Sequence, residues 1–220
     1  MADLEEWLVD LSHVIEDGMT TYKGLPGPHI CDFWSRERSA EFYDDGSTFQ
    51  IGRIDMVANT GTYLDAPFHR YEEGADLSRL DLAQLAGLEG LVVRSEGPSI
   101  GAELFEGRDV AGKAVLVHTG WDRRWRTEAY QFGHPFLTEP AARLLAARGA
   151  RLVGIDSHNI DDTAERRRPV HTILLGAGIL VCEHMTRLEA LPDEGFRFYA
   201  VPPKIAGMGT FPVRAFAAVS

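Results

Sequence analysis

The chain has 220 residues, of which 45% are hydrophobic and 25% are charged, proportions that are ordinary for a globular protein. Its formal net charge is -11, which argues against nucleic-acid binding because that function usually rests on a basic surface. The acidic opening, residues 1–7, does not resemble a signal peptide, and no apolar stretch approaches the roughly 18–20 residues of a membrane span. We therefore expect a cytoplasmic protein with a small-molecule substrate, no nucleic-acid or membrane partner, and one domain over residues 1–220.

Alternation of apolar and polar residues predicts the strands of the N-terminal half. Residues 7–12 are predicted as an opening strand, and residues 49–57 as a strand with one buried face. Residues 58–69 are polar and contain Gly and Pro, so we predict a loop there, where functional residues often lie. Leucines spaced through residues 77–88 predict one or two short helices.

Short apolar runs predict most strands of the C-terminal half. Thr138 can cap a helix that extends to residue 147 and ends at Gly149, and a second, short helix is predicted at residues 171–175. Strands and helices in this order predict an α/β fold whose sheet curls toward a barrel, with helices outside. The predicted strands are residues 90–94, 114–118, 152–156, 179–183, 196–201 and 213–219.

Carboxylates end two of these apolar strands, Asp156 and Glu183. A buried carboxylate costs free energy unless it is paired, hydrogen-bonded or bound to a metal, and taken alone it is more often a structural hydrogen-bond acceptor. The loop at residues 58–69 adds Asp65 and His69, four residues apart. Taken alone, this pair is weak evidence for a site, because a turn-capping aspartate beside an exposed histidine is the more common explanation.

Several segments, in the same order along the chain, resemble motifs of the cyclase / kynurenine formamidase family. The signature loop of that family is written H-x-G-T-H-x-D-x-P-x-H, and this chain retains its later part in Gly61, Thr62, Asp65, Pro67 and His69. The chain is identified by these motifs as a member of the family. The other matching segments are residues 10–13 with 18–19, 170–179, 183–188 and 207–215.

The resemblance implies a fold, an activity and a set of site residues. The fold is an α/β domain of the swivelling β/β/α type, with a barrel-like mixed β-sheet and outer helices, assembled as a homodimer or homotetramer. Relatives such as arylformamidase and isatin hydrolase use zinc or manganese to activate water against an amide. By resemblance, Asp65, His171 and Glu183 are metal ligands, and His69 is the proton shuttle.

The chain departs from the family motif at two ligand positions, where Asn59 and Tyr63 stand in place of histidines. Asparagine offers only a neutral carbonyl oxygen, and tyrosine binds a metal well only as a phenolate, far from its usual pKa of about 10. Three arrangements follow. One divalent metal could remain on Asp65, His171 and Glu183, with Asn59 as a further weak ligand. Alternatively, Tyr63, Asp65 and His69 could form a metal-free acid/base group. In the third arrangement, the pocket binds a small molecule without catalysing a reaction.

These arrangements correspond to three functions. We predict a hydrolase of a small aryl formamide, amide or lactam that uses at most one metal. The alternatives are a metal-independent cyclase or dehydratase acting on a small biosynthetic intermediate, and a non-catalytic small-molecule binding protein.

Aromatic residues outside the motif are candidates for substrate binding. Trp121 follows a predicted strand and could stack on a flat ring or pack in the core. Phe33 and Trp34 could form a lid over the pocket of a neighbouring subunit or serve plain packing. An anion could bind locally through Arg53 or Arg70.

The remaining notable side chains are predicted to be structural. Cys31 and Cys182 match no metal or redox spacing and are expected to be reduced thiols in the core. Each of the histidines scattered along the sequence is expected to be a hydrogen-bonded structural residue or a surface residue, and they are His13, His118, His158 and His184.

Overall fold

The structure is a computed structural model that describes residues 7–219. The strands are β1 (Trp7–Asp10), β2 (His29–Trp34), β3 (Ile51–Asp55), β4 (Tyr63–Asp65), β5 (Ala86–Arg94), β6 (Ser99–Ile100), β7 (Ala114–His118), β8 (Phe136–Leu137), β9 (Leu152–Ile155), β10 (Leu180–Glu183), β11 (Phe196–Tyr199), β12 (Thr210–Pro212) and β13 (Phe216–Val219). The α-helices are α1 (Arg36–Ser39), α2 (Glu139–Ala147) and α3 (Pro169–Gly176). Short 3₁₀ helices cover Ala40–Phe42, Pro67–His69, Leu82–Gln84, Ala102–Phe105, Trp121–Arg124, Glu128–Gln131 and Leu188–Ala190.

Nine strands form one curled, mixed sheet in the order β1-β13-β11-β5-β7-β9-β10-β4-β12. Its centre, β5-β7-β9-β10, is parallel, and the strands on both sides are antiparallel. Helix α2 connects β7 to β9, and α3 connects β9 to β10. This architecture confirms the predicted α/β class with a barrel-like sheet and outer helices.

The parallel strands are covered on both faces, as such strands usually are. Alternate residues of one strand lie in different apolar clusters: Val181 packs with the helices, and Cys182 packs on the opposite face. Leu145 of α2 and Leu174 of α3 belong to the helix-side cluster. Because both faces are apolar, a charged residue on these strands needs a specific partner.

Helix α2 forms where the sequence predicts it. The Thr138 hydroxyl accepts a hydrogen bond from the Ala141 backbone nitrogen at 3.4 Å, which caps the helix. Gly149 follows the helix with a φ of 73°, a conformation that glycine adopts without a Cβ penalty.

The N-terminal half differs from the prediction at three places. Every residue of β3 is exposed, because β3 pairs only with β2 in a separate two-stranded ribbon; the predicted buried face was wrong. Tyr63–Asp65 is a fully buried strand inside the predicted loop, held between β10 and β12. The predicted helices at 77–88 reduce to Leu82–Gln84, since residues from Ala86 onward join β5.

The two cysteines are both free. Cys182 is buried, as predicted, whereas Cys31 is only half-buried because it lies on the β2-β3 ribbon rather than in the core. Within residues 7–219, no helix has both the length and the apolar character needed to cross a membrane.

Candidate active site

The pairing of β4 with β10 places three candidate site residues on one face of the sheet. Tyr63 lies directly opposite Glu183, and Asp65 lies opposite Val181. Residues two apart on a strand share a face, so Tyr63, Asp65 and Glu183 all point toward the side that α3 covers. The three side chains are almost fully excluded from solvent.

His171, in the first turn of α3, completes this group. Its Nε2 lies 3.5 Å from Asp65 Oδ2 and 3.6 Å from Glu183 Oε1. Residues 65, 171 and 183, far apart in the sequence, therefore meet around one imidazole nitrogen.

Asp161, which the sequence analysis did not select, fixes the orientation of His171. Its Oδ2 lies 2.6 Å from His171 Nδ1 and accepts the His171 backbone N–H at 3.0 Å, while its Oδ1 accepts the Val170 N–H at 2.7 Å. A carboxylate at Nδ1 holds a proton on that nitrogen and fixes the orientation of the ring, so Nε2 faces Asp65 and Glu183.

The charges around His171 require a compensating positive charge. Burial opposes the imidazolium, but Glu183, Asp161 and Asp65 outweigh it and raise the pKa of His171 to about 10. Burial, assisted by the Asp65 charge, raises the pKa of Glu183 to about 6 despite the favourable charge of His171. A proton on His171 or a cation beside it would supply the balance.

His69 approaches the same group from the Pro67–His69 turn. Thr210 lies opposite Asp65 in the β12-β4 pair; its hydroxyl donates to Asp65 Oδ1 and lies 2.8 Å from His69 Nδ1. Gly209 permits this approach, because a Cβ built there would lie 2.3 Å from the His69 backbone nitrogen. The His69 side chain remains 36% exposed, whereas Asp65 and His171 are buried.

Tyr63 is hydrogen-bonded to a carboxylate. Its hydroxyl donates to Glu183 Oε2 at 2.5 Å and lies 2.7 Å from the hydroxyl of Tyr22, which accepts from Asn159 Nδ2 at 3.1 Å. Burial, followed by the Glu183 charge, raises the pKa of Tyr63 well above its usual range. Tyr63 is therefore a neutral phenol at neutral pH, which is a poor metal ligand.

These residues line a cavity of about 270 Å³. Its walls contain the predicted site residues Asn59, Tyr63, Asp65, His69, His171 and Glu183, and also Tyr22, Leu25, Arg70, Asn159 and Arg168.

Three predicted substrate-binding residues are not among the residues that line this cavity. Trp121 donates its indole N–H to the Tyr130 carbonyl at 3.0 Å, and the Arg124 guanidinium lies over the Trp121 ring. Phe33 and Trp34 lie on the β2-β3 ribbon, where Phe33 is 59% exposed. Their contact with a neighbouring subunit, and the homo-oligomer that it requires, stay predictions.

The donor atoms of the cavity suit a divalent cation. Oδ2 of Asp65 is buried and has no hydrogen-bond partner among residues 7–219, and it lies beside His171 Nε2. Ligand atoms of Asp65, His69 and His171 all lie within 4.8 Å of one another. Carboxylate oxygen and imidazole nitrogen suit zinc or manganese. This set shares Asp65 and His171 with the predicted ligands and contains His69 where the resemblance implies Glu183.

Asp156, the other strand-ending carboxylate, has a different environment. It accepts hydrogen bonds from the Thr119 backbone and hydroxyl at 2.8 and 2.6 Å, and from the Gly120 backbone at 2.8 Å. Burial raises its pKa to about 7 against these bonds. With three donors filling it, Asp156 serves as a structural acceptor that fixes the loop after β7.

Three of the histidines that are scattered along the sequence lie close together in the structure. The His158 and His184 rings lie 5.6 Å apart, and His13 stacks on Trp125, which in turn packs against His184. Each of these three histidines has a buried ring nitrogen without a hydrogen-bond partner among the described residues.

Sequence reasoning missed residues that line the cavity, including Tyr22 and Asn159, and two residues that hydrogen-bond to its lining residues, Asp161 and Thr210. Tyr22 and Asn159 stand in loops with no motif around them. Thr210 lies between Gly209 and Phe211 in a segment that matches the family, so the C-terminal motif was a usable signal. No sequence signal identified Asp161, because its contact with His171 depends on the turn that leads from β9 to α3.

The fold and the cavity together define a member of the cyclase family. The family profile described as "Putative cyclase" matches residues 9–162, which is more than half of the chain. The chain therefore belongs to this family, and the resemblance drawn from its motifs is confirmed.

Two groups of relatives are similar over nearly the whole chain. The kynurenine formamidases of Geobacillus thermodenitrificans and Bacillus cereus are 28% and 26% identical, over 94% and 96% of this chain and 95% and 96% of their own lengths. A solved structure described as a potential metal-dependent hydrolase with cyclase activity superposes with a TM-score of 0.78 at 28% identity, covering 98% of both chains. Isatin hydrolase A from Labrenzia aggregata shares the fold, with a TM-score of 0.81 at 22% identity, over 97% of this chain and 94% of its own.

Proposed function

We propose that this chain is an amide hydrolase that acts on a small aryl formamide, amide or lactam in the cavity lined by Asp65, His69, His171 and Glu183. The observation that carries the proposal is the position of His171 Nε2, oriented by Asp161 and placed 3.5 Å from Asp65 Oδ2 and 3.6 Å from Glu183 Oε1. The similarity to kynurenine formamidases over nearly the full chain supports the same reaction class.

One divalent cation fits this group of donors. We propose that Asp65, His171 and Glu183 would hold it, with the Asn59 carbonyl oxygen as a further weak donor on the cavity wall. Such a cation would lower the pKa of a bound water and polarise the amide carbonyl. Tyr63 would not add a ligand, since its hydroxyl proton is donated to Glu183.

His69 is suited to move protons rather than to hold the cation. Its Nδ1 is engaged by Thr210, while its Nε2 forms no hydrogen bond within residues 7–219. A partly exposed imidazole with one free nitrogen can take a proton from water and return it to the leaving nitrogen. Thr210 joins His69 to Asp65, so the same side chain positions both residues.

A second function has an observation of its own. A proton on His171 can balance the surrounding carboxylates without a metal, since these carboxylates raise its pKa to about 10. With Tyr63 and Tyr22 as hydrogen-bonded phenols beside Glu183, this state supports a metal-independent cyclase or dehydratase. Metal analysis of protein purified without chelator separates the two: stoichiometric metal supports the hydrolase, and its absence from a fully active protein supports the alternative.

The substitution His69→Ala tests the hydrolase. With formanilide as substrate and released aniline as the measured product, we expect kcat to fall by roughly 10²–10⁴-fold, because general acid–base catalysis is lost. His29→Ala is the matched control, since His29 is an exposed histidine on the β2-β3 ribbon. Circular dichroism checks the fold of both variants. Unchanged turnover in His69→Ala would remove His69 from the mechanism.

A further inference from the structure

Glu183 is a buried carboxylate whose two oxygens have different partners. Oε1 accepts the Ile160 backbone N–H at 2.6 Å and lies 3.6 Å from His171 Nε2. Oε2 accepts the hydroxyl proton of Tyr63 at 2.5 Å, and two further polar groups lie 3.3 and 3.4 Å from it. The carboxylate is therefore held through Oε2, which leaves Oε1 turned toward His171.

Three side chains form a row of hydrogen bonds that ends at Oε2. Asn159 Nδ2 donates to the Tyr22 hydroxyl at 3.1 Å, and that hydroxyl lies 2.7 Å from the Tyr63 hydroxyl. Tyr63 has a single hydroxyl proton and donates it to Glu183, so its oxygen is an acceptor for the Tyr22 proton. The His158 carbonyl, 2.9 Å from the Tyr22 hydroxyl, is a second acceptor for that proton. Since each bond in such a row polarises the next, Asn159 and Tyr22 strengthen the bond that Tyr63 makes.

The turn between β9 and α3 fixes the Asn159 end of this row. The Asp161 backbone N–H donates to Asn159 Oδ1 at 3.0 Å, which turns Nδ2 of the same amide toward Tyr22. Asp161 also orients His171 through its carboxylate. One turn therefore positions both the row and the imidazole that Glu183 faces.

Gln131 fixes the segment around Tyr22 from both sides. Its Nε2 donates to the Thr21 carbonyl at 3.1 Å, and its Oε1 accepts the Lys23 backbone N–H at 3.2 Å. The Thr21 hydroxyl accepts the Gly61 N–H at 2.9 Å, which ties this segment to the residues just before β4. The two tyrosines of the row are therefore held together by backbone contacts as well as by their hydroxyls.

The row supplies a hydrogen bond to Glu183 without adding a formal charge. Burial raises the pKa of Glu183 to about 6, and the charge of His171 and the hydrogen bond from Tyr63 oppose that rise. A carboxylate binds a cation in its ionised form, so the bond from Tyr63 favours the state that can serve as a ligand.

We propose that Tyr63, supported by Tyr22 and Asn159, is a positioning residue for Glu183: it holds Oε2 so that Oε1 stays directed at the site of the cation. This inference rests on the proposed hydrolase and its single divalent cation. Residues that hydrogen-bond to a metal ligand orient that ligand, and their loss typically weakens metal affinity by roughly 10–100-fold. A position that supplies a ligand in the family motif thus acts through another ligand in this chain.

The zinc affinity of single phenylalanine variants tests the role of Tyr63. Protein freed of metal by dialysis against a chelator is titrated with zinc by isothermal titration calorimetry, and circular dichroism checks the fold. We expect Tyr63→Phe, which keeps the ring and removes the hydroxyl, to raise the zinc Kd by roughly 10–100-fold. Tyr130→Phe is the matched control, because Tyr130 is also fully buried and its hydroxyl contacts His184 Nδ1 at 2.9 Å. Equal zinc affinity of Tyr63→Phe and the wild type overturns the proposal.

A double-mutant cycle tests whether Tyr22 acts through Tyr63. Tyr22→Phe alone should raise the zinc Kd by roughly 2–10-fold, the net value of one hydrogen bond. In the Tyr63→Phe background the same substitution should change the Kd by less than about twofold, because the bond that Tyr22 supports is already lost. Equal effects in both backgrounds overturn the row. If Tyr63→Phe does not fold, an unchanged zinc Kd in Tyr22→Phe overturns the proposal by itself.

Formanilide turnover keeps this inference separate from the proposed reaction. If the zinc affinity depends on Tyr63 but the wild type does not hydrolyse formanilide with zinc bound, the hydrolase proposal fails and the positioning role stands. If the wild type hydrolyses formanilide without binding zinc, the positioning role is overturned and the amide hydrolase stands.

Discussion

Tyr63 is the residue that most limits the chemistry of the cavity. A histidine at this position would offer an imidazole lone pair, whereas Tyr63 offers a phenol whose proton is already donated to Glu183 at 2.5 Å. Its raised pKa, caused by burial and by the Glu183 charge, keeps it protonated. Together with the neutral amide of Asn59, this supports the proposal of one cation rather than two.

Introducing the two histidines of the family motif should create a site for a second cation. We expect the double substitution Asn59→His and Tyr63→His to raise the zinc content from at most one to two ions per chain, because both lost imidazoles return to the cavity wall. Inductively coupled plasma mass spectrometry after dialysis against zinc measures the stoichiometry. Tyr43→His is the control, since Tyr43 is 50% exposed and outside the cavity. Two tightly bound ions in the wild type would contradict this view of Asn59 and Tyr63.

At the scale of elements, the cavity depends on close contact between β12 and the Pro67–His69 turn. The Ala66 N–H donates to the Gly209 carbonyl at 2.7 Å, and Gly209 approaches the His69 backbone so closely that no Cβ fits. Thr210, the next residue, can therefore contact both Asp65 and His69. Gly209 directly precedes the edge strand β12, and a glycine in such a place marks the close approach of another backbone.

Gly209→Ala should separate these two elements. We expect a loss of about 1–3 kcal/mol in the free energy of unfolding, because an inserted methyl group must displace the His69 backbone. Urea denaturation measures the loss, and formanilide turnover should fall with it, since His69 moves away from Thr210. Gly52→Ala, on the exposed strand β3 with its nearest neighbour 3.9 Å away, is the control. Equal stability of Gly209→Ala and Gly52→Ala would show that the Pro67–His69 turn accommodates the methyl group without a loss of unfolding free energy.

At the scale of the whole molecule, buried histidines couple stability to pH. Burial lowers the pKa of His13 and of His158 to about 4, and it lowers that of His184 well below 6.5. The unfolded chain binds protons at these residues near pH 6.5, so it holds more protons than the folded chain between pH 6.5 and 4. Stability contributed by the neutral rings is therefore present above pH 6.5 and is lost as the pH falls.

His13→Phe isolates one part of this effect. The phenyl ring keeps the stack on Trp125, whose centroid lies 4.1 Å from that of His13, but it cannot be protonated. Between pH 7 and 5, we expect the wild type to lose about 1–2 kcal/mol more stability than the variant. Denaturant unfolding at both pH values measures the difference. His29→Gln, at an exposed histidine, should keep the wild-type pH dependence; a parallel loss in His13→Phe would exclude His13 as a contributor.

The fold class and the central strands could be predicted because their signals are local. Continuous apolar runs become the parallel strands β7, β9 and β10, and Thr138 and Gly149 mark the ends around α2. The strand β4 could not be predicted, since its three residues are extended only because β10 and β12 hydrogen-bond on both sides. The exposed face of β3 was missed for a related reason, as alternation does not show which surface the strand will pack on.

The sequence by itself determined the family and the identity of Asp65, His69, His171 and Glu183 as candidates, because motifs preserve residue type and order. It also located the two positions, Asn59 and Tyr63, at which the ligand set departs from the family. Only the tertiary structure decided that Asp161 orients His171, that Thr210 joins Asp65 to His69, and that Arg70 and Arg168 face the same cavity. Hydrogen bonds and charge interactions depend on distances in space. The sequence does not show which side chains are close, since Asp65 and Thr210 are hydrogen-bonded although they are 145 residues apart along the chain.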